Sequence, residues 1–123
     1  MKILITGSRA ASGRLLKMVQ EFVMLRPFDE FLVGDADGVD NIVILSCDAQ
    51  ETPVTVFGGY KKMRHSTRFG KNVPLNMDYL GRDRYMVEQH PDLCVAFWDG
   101  KSRGTMYTAK YAKSHGIETI VVK

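Results

Sequence analysis

No apolar run in this 123-residue sequence approaches the ~20 residues needed to cross a bilayer, which excludes a membrane-spanning helix. The opening residues, Met1-Lys2-Ile3-Leu4-Ile5-Thr6-Gly7, have too short an apolar stretch for a secretory leader and no small-residue cleavage site. They read as a first strand and predict a cytoplasmic protein. Cysteine is scarce: Cys47 and Cys94 each sit in an apolar pattern, with no Cys or His at metal-ligand spacing. Two buried thiols and no metal site follow. Histidine is equally sparse, and His65, His90 and His115 fall at loop or helix-end positions with nothing to orient them. No nucleophile–base pair emerges, so no catalytic residue is assigned. Charge of one sign is also in short supply, since 17 Lys and Arg against 14 Asp and Glu leave a net charge of +3. That excess does not demand a nucleic-acid partner.

What is present is the composition of an ordinary globular domain, 45% hydrophobic and 25% charged. At this length it can bury roughly two thirds of its unfolded surface, and residues 1–123 read as one domain with no repeat or linker. Lys2 to Thr6 is β-rich. After Gly7-Ser8-Arg9, the residues Leu15, Leu16, Val19, Phe22 and Val23 repeat at helical spacing behind a Ser12 N-cap, and Pro27 ends the helix by Arg26. Phe31-Leu32-Val33 is a second strand. Gly34-Asp35-Ala36-Asp37-Gly38 then turns the chain into a helix with Asp37 as its cap and Val39, Ile42, Val43, Ser46 and Cys47 facing inward. Pro53 introduces a third strand, Val54 to Phe57.

From Gly58 to Asp78 the periodicity disappears, and Lys61, Lys62, Arg64, Arg68 and Lys71 gather beside Tyr60, His65 and Phe69. A long segment of this kind reads as a mobile lid. Helical pattern resumes over Tyr79 to Gln89, with Asp83 out of place on a mostly apolar face, where it must pair with a neighbour or point into a polar site. Val95-Ala96-Phe97-Trp98 is a fourth strand with no polar alternation, Thr105, Thr108, Ala109 and Ala112 line a close-packing helix ended by Gly116, and Thr119 to Val122 is the fifth strand. Strands alternating with helices imply parallel pairing and right-handed crossovers. The predicted fold is α/β: a Rossmann-like three-layer sandwich on a five-stranded parallel sheet in the order 3-2-1-4-5.

In such a sheet ligands bind beyond the carboxyl ends of the strands, where the strand order reverses. Three small-residue turns fall there: Gly7-Ser8-Arg9, Gly34 to Gly38 with Asp40 following, and the stretch from Trp98 through Thr105. Their convergence favours a phosphate-bearing ligand, because small residues let a backbone approach it and a helix start presents free N–H groups. Arg9, Arg82 and Arg103 are the candidate phosphate holders, with Ser102, Gly104 and Thr105 completing a cradle at the helix start. Trp98, at a strand end, is a candidate to stack on a base or to pack under its own loop.

Taken together, Gly7-Ser8-Arg9, the run Gly34-Asp35-Ala36-Asp37-Gly38-Val39-Asp40, Arg82-Asp83 with Met86, and Ala96-Phe97-Trp98-Asp99-Gly100 leading to Gly104-Thr105 and Thr108 resemble the SLOG superfamily. The nearest branch is that of the small stand-alone YspA/YpsA-like proteins, and the likeness spans nearly the whole chain. The resemblance implies a Rossmann-like fold that binds a nucleotide or nucleotide-derived small molecule, such as an ADP-ribose-type ligand, without a further cofactor. It also implies a possible homo-oligomer. Enzymatic relatives of the LOG type cleave nucleoside monophosphates with a Pro-Gly-Gly-x-Gly-Thr-x-x-Glu motif, but here Thr108 stands in the place of the glutamate. That departure favours sensing or sequestration over phosphoribohydrolysis, with Asp40, Asp83 or Asp99 as the substitute carboxylates if hydrolysis occurs. Single-stranded nucleic-acid binding, which DprA-type relatives perform, ranks third and rests on the basic, aromatic 61–71 segment.

Overall fold

The computed structural model describes residues 1–123. Its central strand, β1 (Lys2–Gly7), buries Ile3, Leu4 and Ile5 completely, as a strand flanked on both edges and covered on both faces must. It pairs in parallel with β2 (Glu30–Gly34) on one side and β5 (Leu93–Phe97) on the other, so that Ile5 lies opposite Val33 and Val95. Beyond β2 comes β3 (Val54–Gly58), and beyond β5 comes β6 (Glu118–Val122), all parallel.

The helices divide evenly between the faces. Helices α1 (Gly13–Met24) and α2 (Val39–Gln50) pack on the face of Ile3, Ile5, Phe31, Val33, Val95 and Phe97. Helices α3 (Tyr79–Val87) and α4 (Arg103–Ser114) cover the opposite face, where Met86, Val87 and Ala112 meet Leu4, Leu32 and Cys94. Right-handed crossovers impose this division, because the chain steps one way from β1 to β3 and the other way from β5 to β6. The order therefore reverses between β1 and β5. No helix is long and apolar enough to cross a membrane.

The sheet has six strands, ordered β4-β3-β2-β1-β5-β6, and not the expected five in the order 3-2-1-4-5. The added strand, β4 (Lys71–Pro74), lies inside the segment read as a structureless lid and pairs in parallel with β3, placing Phe57 opposite Val73. Four residues with one apolar side chain give no alternation, and the proline sits at the end of an edge strand, where its missing N–H costs nothing. The rest of the segment is tied down as well. The Asp48 carboxylate accepts from the Thr67 hydroxyl at 2.5 Å and the Arg68 N–H at 2.9 Å, while the N–H groups of Tyr60 and Lys61 bond the carbonyls of Met77 and Leu75 at 2.8 Å each.

Two local expectations also change. Asp37 does not cap α2: Gly38 takes that place at a φ of 77°, and the exposed Asp37 carboxylate turns out to His65 Nε2 at 2.7 Å. On α2 the buried set is Val39, Asp40, Val43, Ile44, Ser46 and Cys47, with Ile42 only half-buried. Ile44 is covered because α1 packs along the flank of α2 and widens its buried stripe. Ser12 and Ser102 do cap α1 and α4, accepting the N–H groups of Leu15 and Thr105 at 3.2 and 3.3 Å.

Candidate functional site

A cavity of about 210 Å³ opens at the carboxyl ends of β1 and β2, between α3 and the start of α4, beside the reversal in strand order. Of the residues singled out in the sequence it brings together Gly7, Arg9, Asp40, Arg82, Asp83, Ser102, Gly104 and Thr105. Thr6, Ala36, Arg64, Tyr79, Leu80 and Met86 join them.

The floor is built around Arg82, which is only 5% exposed. Its Nε donates to Asp83 Oδ1 at 2.7 Å, and its Nη1 donates to Asp35 Oδ1 at 2.9 Å and to the Phe57 carbonyl at 3.0 Å. Asp35 is itself buried behind the lining and takes a second guanidinium, with Arg64 Nη2 at 2.8 Å and the Arg64 N–H at 2.7 Å. Burial pushes the Asp35 carboxyl up, but the side-chain and backbone bonds from Arg64 and the charges of Arg64 and Arg82 outweigh it, leaving it below the usual range. Arg82 thus commits its Nε and Nη1 to two carboxylates and a carbonyl.

Asp40, the first acidic residue of α2, accepts the Ala36 N–H at 3.1 Å and is 6% exposed. Burial pushes its carboxyl up to about 7, against the Arg82 charge and the Ala36 bond, with the negative charges of Asp83 and Asp35 adding to the rise. Burial likewise raises Asp83, against the Arg82 charge and hydrogen bond and the neighbouring Thr108 hydroxyl. For Arg82, burial works against the charged form, but Asp83, Asp40 and Asp35 more than compensate and hold it protonated. One guanidinium therefore faces three carboxyls, and one of the three is close to half-protonated at neutral pH.

The rim has the opposite character. Arg9 extends from the β1–α1 turn with an exposed side chain, and α4 begins there with Ser102, Gly104 and Thr105. The Ser102 hydroxyl lies 2.9 Å from that of Thr105, and a Cβ built on Gly104 would meet nothing within 4 Å. On the remaining wall the Arg64 guanidinium carbon stands 3.9 Å from the Tyr79 ring centroid, and Tyr60 packs edge-on against the same ring at 5.1 Å.

The other sequence candidates lie outside the cavity. Ser8 is fully buried and joins three elements: its N–H bonds the Phe97 carbonyl, its carbonyl accepts from Val39, and its hydroxyl accepts the Asp99 N–H at 3.0 Å. Gly34 makes room for protein, since a Cβ there would stand 2.7 Å from both Arg82 Nη1 and Asp40 Oδ2, and one on Gly7 would strike Val39. Gly34, outside the lining, is explained by packing, whereas Gly7 both lines the cavity and leaves room for Val39. Trp98 turns to a separate groove with Arg14, Lys101 and Lys123, donating its Nε1–H to the Ser102 carbonyl at 3.0 Å. Gly100 and Arg103 are exposed and do not line the cavity. Asp99 instead braces the loop, accepting the N–H groups of Lys101 and Ser102 at 2.8 and 2.9 Å.

Tyr79 is a wall residue that sequence reasoning did not assign to the site; its signal is Asp78, which caps α3 by accepting the Gly81 N–H at 2.7 Å and so fixes where that helix begins. Arg64, noted in the sequence as part of the basic lid segment, is brought to the wall by its pairing with Asp35.

No protein-family model matches the chain, and no curated protein is significantly similar in sequence. Solved structures do match in fold. DNA processing protein A from Streptococcus pneumoniae is 17% identical, with a TM-score of 0.81 over 99% of this chain and 50% of that one. DNA processing protein A from Helicobacter pylori, solved to show how it binds single-stranded DNA, is 16% identical, with a TM-score of 0.75 over 100% and 65%. The molybdenum cofactor binding protein from Rippkaea orientalis is 17% identical, with a TM-score of 0.83 over 98% and 74%. This chain spans half the length of the first of them. Parallel sheet, reversal point and helix placement together give the chain the Rossmann-like fold of these structures.

Proposed function

We propose that the cavity binds a nucleotide or nucleotide-derived small molecule, such as an ADP-ribose-type ligand, and that the protein senses or sequesters it without turning it over. The observation that carries this reading is the two-ended character of the cavity at the reversal point: Arg9 and the start of α4 at the rim, Asp40 and Asp83 at the floor. A helix start and an exposed guanidinium suit an anionic group, while carboxyls suit hydroxyl or amino donors. A phosphorylated sugar has both. Thr108, in the place of the motif glutamate, has no carboxyl to offer, which supports binding without chemistry. Mass spectrometry of small molecules released by denaturing the purified protein tests the reading. A stoichiometric phosphorylated compound is expected; repeated preparations that carry none and bind none of a nucleotide panel overturn it.

Asp40 and Asp83 favour a second reading, N-glycosidic hydrolysis of a nucleoside monophosphate, because two carboxyls with raised pKa beside an arginine can act as acid and base. Incubation with nucleoside monophosphates followed by chromatography decides between them: free base released by the native protein and not by Asp83→Ala establishes the enzyme. A third reading, single-stranded nucleic-acid binding, rests on the exposed Tyr60 and Phe69 among Lys61, Lys62, Arg68 and Lys71. Its signature is affinity for an oligonucleotide that falls steeply with salt.

A further inference from the structure

The floor of the cavity contains an acceptor that the protein leaves unmet. Asp40 is more than nine-tenths buried and lines the cavity; its Oδ2 takes the Ala36 N–H at 3.1 Å, and its Oδ1 has no protein donor. A buried acceptor facing a cavity is completed by whatever enters, and a molecule that cannot donate to it loses affinity.

The surrounding charges narrow the kind of donor. Asp35 and Asp83 are matched by Arg64 and Arg82, so Asp40 is the odd carboxyl of the group, held up to about 7 by burial. A hydroxyl serves such a group in either state, donating to the carboxylate or accepting from the acid, whereas an ammonium serves only the carboxylate. Phosphate is repelled by the carboxylate and by Asp83 beside it, which leaves the anionic end of a ligand for Arg9 and the start of α4 across the cavity. Asp40 and Asp83 both line the cavity and so offer acceptors to two adjacent hydroxyls.

We propose that Asp40 and Asp83 read the vicinal hydroxyls of a ribose, making the site selective for ribonucleotides over 2′-deoxyribonucleotides. The proposal rests on the nucleotide-binding reading above and adds the residues that set the sugar. Removing one hydroxyl leaves one buried carboxyl without its donor, and a hydrogen bond to a charged group accounts for about a ten- to hundredfold change in affinity.

Isothermal titration of the full chain with AMP and 2′-deoxy-AMP near neutral pH tests it. AMP is expected to bind about ten- to a hundredfold more tightly. In Asp40→Ala that ratio is expected to fall to within about threefold, through weaker AMP binding and not through tighter or lost 2′-deoxy-AMP binding alone. Should the alanine variant fail to fold, Asp40→Asn keeps an acceptor for the Ala36 N–H and is expected to lower the ratio by about threefold or more. Equal affinity of the native protein for the two nucleotides overturns the proposal and leaves nucleotide binding intact, as does an undiminished ratio in the Asp40 variants. Binding of neither nucleotide overturns both.

Discussion

Replacing Asp40 by asparagine is expected to stabilise the protein increasingly as pH rises. Asparagine has nearly the shape of aspartic acid, and its carbonyl can keep the Ala36 N–H bond of 3.1 Å, but it has no proton to lose. In the folded protein burial holds the Asp40 carboxyl up to about 7, against an ordinary value of 3.8. Because the folded value lies above the unfolded one, the folded state binds the extra proton between the two. The stability this proton brings is complete below about pH 3.8 and is lost as pH rises through about 7, after which the loss is constant. At about 1.4 kcal/mol per pH unit, the full difference is about 4 kcal/mol, of which about 3 kcal/mol falls between roughly pH 5 and pH 8. Asp83, also raised by burial, adds a pH dependence of the same sign that both proteins share. Urea unfolding of the native protein and of Asp40→Asn at these two pH values measures the difference directly. The native protein should lose stability relative to the variant by about 3 kcal/mol from the lower to the higher pH. Parallel pH dependence of the two proteins, or an advantage of the variant that shrinks as pH rises, refutes the electrostatic description of the floor.

Three further outcomes follow from the same structure. Gly104→Val should weaken binding of a phosphorylated ligand while changing stability by less than about 1 kcal/mol, since beyond its chain neighbours and its own helix backbone no atom lies within 4 Å of the added Cβ; calorimetry and thermal melting separate the two effects. Asp48→Ala should remove the bonds to Thr67 and Arg68, cost about 1–3 kcal/mol and speed amide exchange across 66–70; unchanged exchange there contradicts the anchoring role of this carboxylate. Cys47 and Cys94, both buried with thiols pushed up to about 12 by burial, should resist a thiol reagent at neutral pH until the protein unfolds, as followed by the rate of labelling in increasing urea.

The strands and helices that carry dense apolar patterns were legible in the sequence because burial on both faces leaves no other reading for runs such as Ile3-Leu4-Ile5 or Val95-Ala96-Phe97. The same logic placed the site at the reversal between β1 and β5. What remained hidden depends on contacts distant in sequence. β4 exists because β3 offers an unpaired edge and Asp48 on α2 anchors Thr67, and nothing in Lys71-Asn72-Val73-Pro74 announces either. Gly34 makes room for Arg82 with Asp40, a packing role the sequence does not show, and Gly7, which lines the cavity, also makes room for Val39. Arg82 offers the sharpest lesson: the sequence does not show that Asp35, Asp83 and the Phe57 carbonyl, each from a different part of the chain, take up its Nε and Nη1. Asp37 misled because Gly38, at a φ of 77°, takes the cap position and the Asp37 carboxylate pairs with His65, a partner distant in sequence.

The central claim is that the cavity beside the strand reversal is where a nucleotide-derived ligand binds. Two-dimensional amide spectra of labelled protein, titrated with AMP and with ADP-ribose, test it most directly. The account predicts saturable shifts concentrated at Thr6 to Arg9, Ala36 to Asp40, Arg64, Tyr79 to Asp83 and Ser102 to Thr105, which meet at the cavity. Spectra unchanged at saturating nucleotide, or shifts centred on the Trp98, Arg14 and Lys123 groove or on the Lys61, Lys62, Arg68 and Lys71 surface, would contradict it.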